Sequence, residues 1–135
     1  MEARPIDSRE AATLERALAA FAREPNGGIV VPPSVLAWIH REVILKATAQ
    51  YRLPAVYSRR LFVVAGGLIS YGAVTADLYV SVAGYVDRIL KGEKPADLPV
   101  QAPTRYATVL NLKTAKALGL TVPDIVLLRA DEVIE

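Results

Sequence analysis

Tyr85-Val86-Asp87-Arg88-Ile89-Leu90-Lys91-Gly92-Glu93-Lys94-Pro95-Ala96-Asp97-Leu98-Pro99-Val100 joins the end of an amphipathic helix, a glycine stop and an exit punctuated by two prolines. Upstream of Gly92, residues Leu78, Val82, Val86, Ile89 and Leu90 recur at the spacing of one helix face, so the pattern predicts a helix over 75–91 with Gly92 as its left-handed terminator. Downstream, 95–103 reads as extended backbone that crosses between structural units. A strand over 106–110 follows, then Asn111 as a helix cap and Gly119 as the end of that helix. The tail, 125–134, mixes an apolar run with Asp131 and Glu132 and reads as strand or docked coil.

The preceding half alternates helix and strand signals. Asp7 with Glu10 three residues later reads as a capping box, and Leu14, Ala17, Leu18, Phe21 and Ala22 then form one apolar helix face. Pro25-Asn26-Gly27 breaks that helix, and Gly28-Ile29-Val30-Val31 reads as a short buried strand ended by Pro32 and Pro33. Ser34 caps a second helix, with Leu36, Ile39, Val43 and Ala47 turned to the core and Arg41, Lys46 and Gln50 to water. Leu53-Pro54-Ala55-Val56-Tyr57 is a second strand, 59–65 a short helical turn ended by Gly66-Gly67, and Leu68-Ile69-Ser70-Tyr71 a third strand stopped at Gly72. Strands separated by helices predict an α/β fold: βαβ units in a parallel sheet flanked by helices, a single domain over 1–135.

Composition narrows the function. The chain has 135 residues, room for one modest core, and at 53% hydrophobic it lies at the greasy end of water-soluble domains. Sixteen basic residues nearly cancel fourteen acidic ones and are scattered, so neither the charge nor the pair Arg59-Arg60 marks a nucleic-acid surface. Cysteine is absent, which removes disulfides and thiolate chemistry. Between Leu61 and Val86 only Asp77 is charged, yet Gly66, Gly67, Gly72, Ser70 and Tyr71 interrupt the tract and favour strand, turn and helix over a membrane span.

Ligands of open α/β sheets bind beyond the carboxyl ends of the strands, which here brings forward Ser34, Tyr57, Ser70 and Tyr71. The tyrosines offer aromatic walls and hydroxyl donors, or plug the strand ends; the serines offer hydrogen bonds to a carboxylate or amide. Asp77 either holds a ligand's ammonium group or sits in a first helical turn where the dipole favours a negative charge. No catalytic set, cofactor or metal site is expected. The glycines at 67 and 72 have phosphate-loop spacing, but Ala73-Val74 stands where Lys and Ser or Thr are required. His40 is the sole histidine and has no cysteine to share a zinc ion with, and no serine sits in a G-x-S-x-G elbow. A small flavodoxin-like enzyme, or the effector-sensing part of a regulator, would use the same fold but needs an acid-base set or DNA-binding helices, and neither is in evidence.

The opening stretch, together with Asn111-Leu112-Lys113-Thr114-Ala115-Lys116-Ala117-Leu118-Gly119-Leu120-Thr121-Val122-Pro123 and Ala65-Gly66-Gly67-Leu68-Ile69-Ser70-Tyr71-Gly72, resembles the C-terminal portion of ABC-transporter substrate-binding proteins. The resemblance runs from the helix ending Ala20-Phe21-Ala22 to Val133-Ile134. It implies a type I periplasmic-binding-protein-like fold, two α/β lobes around a cleft that closes on a small ligand, here with the C-terminal lobe incomplete. It further implies a ligand carrier that is not an enzyme, serving an ABC permease, periplasmic or lipid-anchored in full-length members. The opening seven residues carry three charges and a proline where an export signal would need an apolar stretch, so the chain as written is expected to be cytoplasmic. The resemblance places 76–100 as a crossover helix and linker that would pack on a first lobe lying outside this sequence. A homodimer through the helix 76–91 is the alternative resting place for that face.

Overall fold

The computed structural model describes residues 2–135. Its elements run α1 (Ala11–Phe21), β1 (Ile29–Val31), α2 (Val35–Ile39), α3 (Arg41–Gln50), β2 (Ala55–Tyr57), α4 (Arg60–Val64), β3 (Ile69–Ala73), α5 (Thr75–Leu90), a 3-10 turn (Pro95–Asp97), β4 (Tyr106–Asn111), α6 (Leu112–Leu118), α7 (Asp124–Arg129) and β5 (Glu132–Ile134). The strands form one sheet in the order β1-β2-β3-β4-β5. An α/β domain with helices on the sheet is therefore what the sequence pattern specified.

The sheet is mixed, not parallel throughout. β1 with β2, β2 with β3 and β4 with β5 are parallel, but β3 and β4 are antiparallel, with Ala73 opposite Tyr106 and Ile69 opposite Leu110. The reason lies in residues 74–105, which leave and re-enter the sheet at the same end: the Val74 amide donates to the Arg105 carbonyl at 3.1 Å. A helix that returns its chain beside its own starting point does not make a parallel crossover.

One sheet face is closed by helices. Leu14 and Leu18 of α1, Ala37 of α2, Ile44 and Ala47 of α3 and Phe62 of α4 form a single core with Val31, Ala55 and Tyr57. Register places Val30, Val56, Ile69, Tyr71 and Tyr106 on the other face, where Val30 is 76% and Val56 41% exposed; towards β4 that face closes again over Leu110. The outer edge of β1 pairs with no strand among the described residues.

Local signals held unevenly. Ser34 accepts from the Ala37 amide and Asn111 from the Thr114 amide at 3.0 Å, both as helix caps. Gly92, at φ 99°, ends the helix before it. Asp7 does not cap α1: its carboxylate accepts from the amide and guanidinium of Arg9, which holds it down to about 2, and Glu10 makes no cap bond. The expected second helix is two, α2 and α3, bent at His40 (φ −95°, ψ 19°). The bend turns Ala37, Ile44, Ala47 and Thr48 inward and leaves Ile39 60% exposed, so the apolar stripe expected at Leu36 and Ile39 is rotated. Gly72 lies inside β3 and does not stop it; a Cβ there would sit 2.0 Å from the Ser58 carbonyl oxygen, so the glycine admits the chain leaving β2. The tail contains the helix α7 before the short strand β5, and the 95–103 segment expected as extended contains a 3-10 turn.

The helix α5 stands apart. It forms over the expected residues, but none of its sixteen residues is buried. The segment after it folds back on it, with the Tyr85 hydroxyl donating to the Pro99 carbonyl and Arg88 paired to Glu93.

Candidate functional site

The carboxyl ends of the parallel strands β1, β2 and β3 lie at the sheet end from which residues 74–105 depart. In sheets of this type that end is where ligands bind. The sequence candidates distribute there unequally.

Ser34 follows β1, is exposed and uses its hydroxyl oxygen to accept from the Ala37 amide. Tyr57 ends β2 but points into the core. It is 1% exposed, its ring stacks on Phe62 at 4.9 Å, and its hydroxyl shares a 3.1 Å hydrogen bond with Thr48 Oγ1. Burial raises its pKa, the Thr48 bond working in the opposite sense. Tyr57 thus plugs a strand end. Ser70 shares that covered face and is also 1% exposed, opposite Tyr57 in register.

Besides Ser34, the exposed Tyr71 and the half-buried Asp77 stand outside the core. Tyr71 is 59% exposed and stacks on Tyr106, ring centroids 5.5 Å apart and planes 18° off parallel. Asp77, in the first turn of α5, pairs with Arg105, Nε to Oδ2 at 2.9 Å. Tyr71, Asp77, Arg105 and Tyr106 therefore form an aromatic pair beside an ion pair, set where the chain leaves β3 and rejoins at β4. Arg105 and Tyr106 were not foreseen. A parallel sheet puts the start of β4 at the end remote from the finish of β3, and only the antiparallel pairing of Ala73 with Tyr106 joins them.

The arrangement offers flat aromatic surface, two hydroxyls and one charge of each sign. It contains no nucleophile activated by a base, and no group of three or more His, Cys, Asp and Glu that could hold a metal ion occurs among the described residues. A crevice of only about 10 Å³, lined by Thr48, Leu53, Tyr57, Gly67, Leu68 and Leu118, lies at the opposite, amino end of β3, away from these residues.

A family model described as ABC transporter substrate binding protein matches residues 8–134. The chain belongs to that family. The ABC domain from Streptococcus pneumonia solved in complex with L-Trp is 30% identical, with a TM-score of 0.80 over 92% of this chain and 40% of that one. A conserved domain protein from Vibrio cholerae O1 is 27% identical, with a TM-score of 0.82 over 92% of this chain and 42% of that one. The ligand-free, open form of a substrate binding protein with adhesive properties from Clostridium difficile is 19% identical, with a TM-score of 0.63 over 93% of this chain and 41% of that one, a likeness of fold alone. No curated protein matches the chain. The family member thus spans about two fifths of the length of the solved proteins it resembles. No helix among its described residues is long and apolar enough to cross a membrane.

Proposed function

We propose that this chain is the C-terminal portion of the solute-binding component of an ABC-type uptake transporter, and that it supplies one wall of a cleft that closes on a small molecule such as an amino acid. The observation that carries the reading is the open end of the sheet: family membership and the exposed Tyr71, Arg105 and Tyr106, with the half-buried Asp77, coincide at the end where ligands of such sheets bind. The amino-acid class rests on the L-Trp complex of the Streptococcus protein. Ser34 and Tyr71 face the solute, and Asp77 takes its ammonium group when the solute carries one, exchanging Arg105 for it. Tyr57 and Ser70 serve behind them as packing.

In this reading 76–100 is a crossover helix and linker. The apolar side of α5, with Val82 at 55% and Val86 at 49% exposed, rests on a first lobe supplied by residues ahead of this sequence. The longer protein works outside the cytoplasmic membrane, hands its solute to a permease and performs no chemistry on it. Closure follows from contacts made by both lobes in the closed state alone.

Calorimetric titration with a panel of amino acids tests the reading. One of them binds the 135-residue chain, more weakly than micromolar, because half the contacts are absent. Micromolar affinity would mean that the cleft is complete without a second lobe, and no heat from any member of the panel removes the amino-acid class.

The bare face of α5 also favours a second reading, a ligand-incompetent α/β domain that dimerises through this helix. Light scattering after size exclusion decides it, since a stable monomer leaves no homodimer to explain.

A further inference from the structure

Trp38, the sole tryptophan, lies on α2 just beyond the carboxyl end of β1. It is held as a fixed plate: its ring meets Phe62 edge-on at 6.2 Å, and Phe62 in turn stacks on the buried Tyr57. Yet 37% of it remains exposed. Two guanidinium groups from different elements converge on this indole. Arg41, at the start of α3, has its Cζ 5.0 Å from the ring centroid, and Arg59, two residues beyond β2, has its Cζ at 5.8 Å.

The charges on that plate are poorly balanced. Arg41 has its chain neighbour Glu42 at 3.3 Å, a carboxylate 85% exposed, and Arg59 forms no ion pair among the described residues. Contrast Arg60, next in the chain, which is fully engaged with Glu132 through two 2.6 Å bonds. Aromatic attraction holds each guanidinium over the ring without neutralising it: Arg41 donates one N–H to the exposed Glu42 and Arg59 makes no side-chain hydrogen bond among the described residues, so donors remain for a ligand. The place matters as much as the charge: β1 and β2 are adjacent parallel strands, and residues just past their carboxyl ends line the crevice in which such sheets bind ligands.

We infer that Trp38, Arg41 and Arg59 form an anion subsite that takes the carboxylate of a small organic acid, the guanidiniums holding the carboxylate and the indole contacting its apolar body. The inference extends the solute-binding reading and rests on it for the cleft, not for the charge. Guanidinium forks match a carboxylate in two parallel hydrogen bonds, and an aromatic plate rewards an organic body over a bare inorganic ion.

Trp38 is its own reporter, because no other indole contributes to the fluorescence. Titration of the 135-residue chain with benzoate gives a saturable change in Trp38 emission, while the isosteric neutral benzamide and inorganic phosphate give none at the same concentrations. Arg59→Gln and Arg41→Gln, both at surface side chains, each weaken the benzoate response by about tenfold or more, with circular dichroism unchanged. Absence of a saturable benzoate response overturns the assignment, as does an equal response to benzamide or phosphate, or indifference to both substitutions. The two readings fail separately. An amino acid that binds with affinity untouched by either substitution keeps the solute-binding reading and sinks this subsite. A benzoate response that obeys the substitutions, with no amino acid bound, keeps the subsite and sinks the amino-acid class.

Discussion

The helices α1 and α5 carry the same kind of sequence and have opposite fates. Each repeats apolar residues at helical spacing, yet Leu14 and Leu18 of α1 are 4% and 1% exposed while Val82, Val86 and Ile89 of α5 are 55%, 49% and 40% exposed. Periodicity states that a helix has a face to bury and does not say against what. α1 finds the sheet and α3. α5 leaves the sheet at Val74, returns at Arg105 and touches its own linker. The contrast teaches that α1 is structural for this domain, whereas the apolar side of α5 lies bare in this chain and, in the proposed reading, is kept for a first lobe.

Truncating one apolar residue of each helix to alanine separates them most widely. Leu18→Ala costs about 2–5 kcal/mol of unfolding free energy in urea melts, because it leaves a cavity in a closed core. Val82→Ala changes the same quantity by about 0.5 kcal/mol or less in this chain. A large loss at Val82 would show that α5 is already buried in solution, by a second copy.

Glycine offers a sharper pairing. Gly72→Ala forces a Cβ to within 2.0 Å of the Ser58 carbonyl oxygen, a backbone atom, and is expected to lower stability by about 1–3 kcal/mol. Gly84, in the interior of α5, has nothing within 4 Å of an added Cβ, so Gly84→Ala stabilises by about 0.5–1 kcal/mol through helix propensity alone. Thermal melts of the two variants should move in opposite directions. Loss of stability in Gly84→Ala would again place a close neighbour on α5.

The smallest effect tests how the body of the domain is tied together. Arg60 lowers the pKa of Glu132 below its usual 4.5 through hydrogen bonds that join α4 to β5. A depressed carboxylate contributes stability that is present above 4.5 and fades as pH falls through the lowered value. Arg60→Gln therefore lowers stability at neutral pH and flattens the acid limb below 4.5. Because both side chains are open to solvent, screening keeps that loss the smallest of these effects. An acid limb unchanged by the substitution would mean that the pair does not form in solution.

Much of this chain was legible residue by residue. Ser34 and Asn111 advertise their caps, Gly92 and Gly119 their helix ends, and the motifs around Gly66-Gly67 and Lys91-Gly92-Glu93-Lys94-Pro95 carry a family resemblance that the match over 8–134 bears out. These features depend on neighbours a few residues apart, and local chemistry suffices for them. The candidate site was read in part. Strand ends are legible and bring forward Ser34, Tyr57, Ser70 and Tyr71, but whether a strand-end residue faces core or solvent follows from a register to which sequence alone is nearly blind. Tyr57 and Ser70 took the covered face, Tyr71 the open one. Arg105 and Arg59 gave no signal, each becoming notable through a partner, Asp77 or Trp38, far away in the chain.

By itself, then, the sequence determined the α/β alternation, the caps and stops of its helices and the membership of its family. Each is written in spacing, turn chemistry or motif, and each is settled within a turn or two of backbone. Only the tertiary structure decided that β4 runs antiparallel to β3, that α2 bends away from α3 at His40, and which of two equally amphipathic helices is buried. Those outcomes balance surfaces brought together from opposite ends of the chain, where burial and steric fit outweigh local preference.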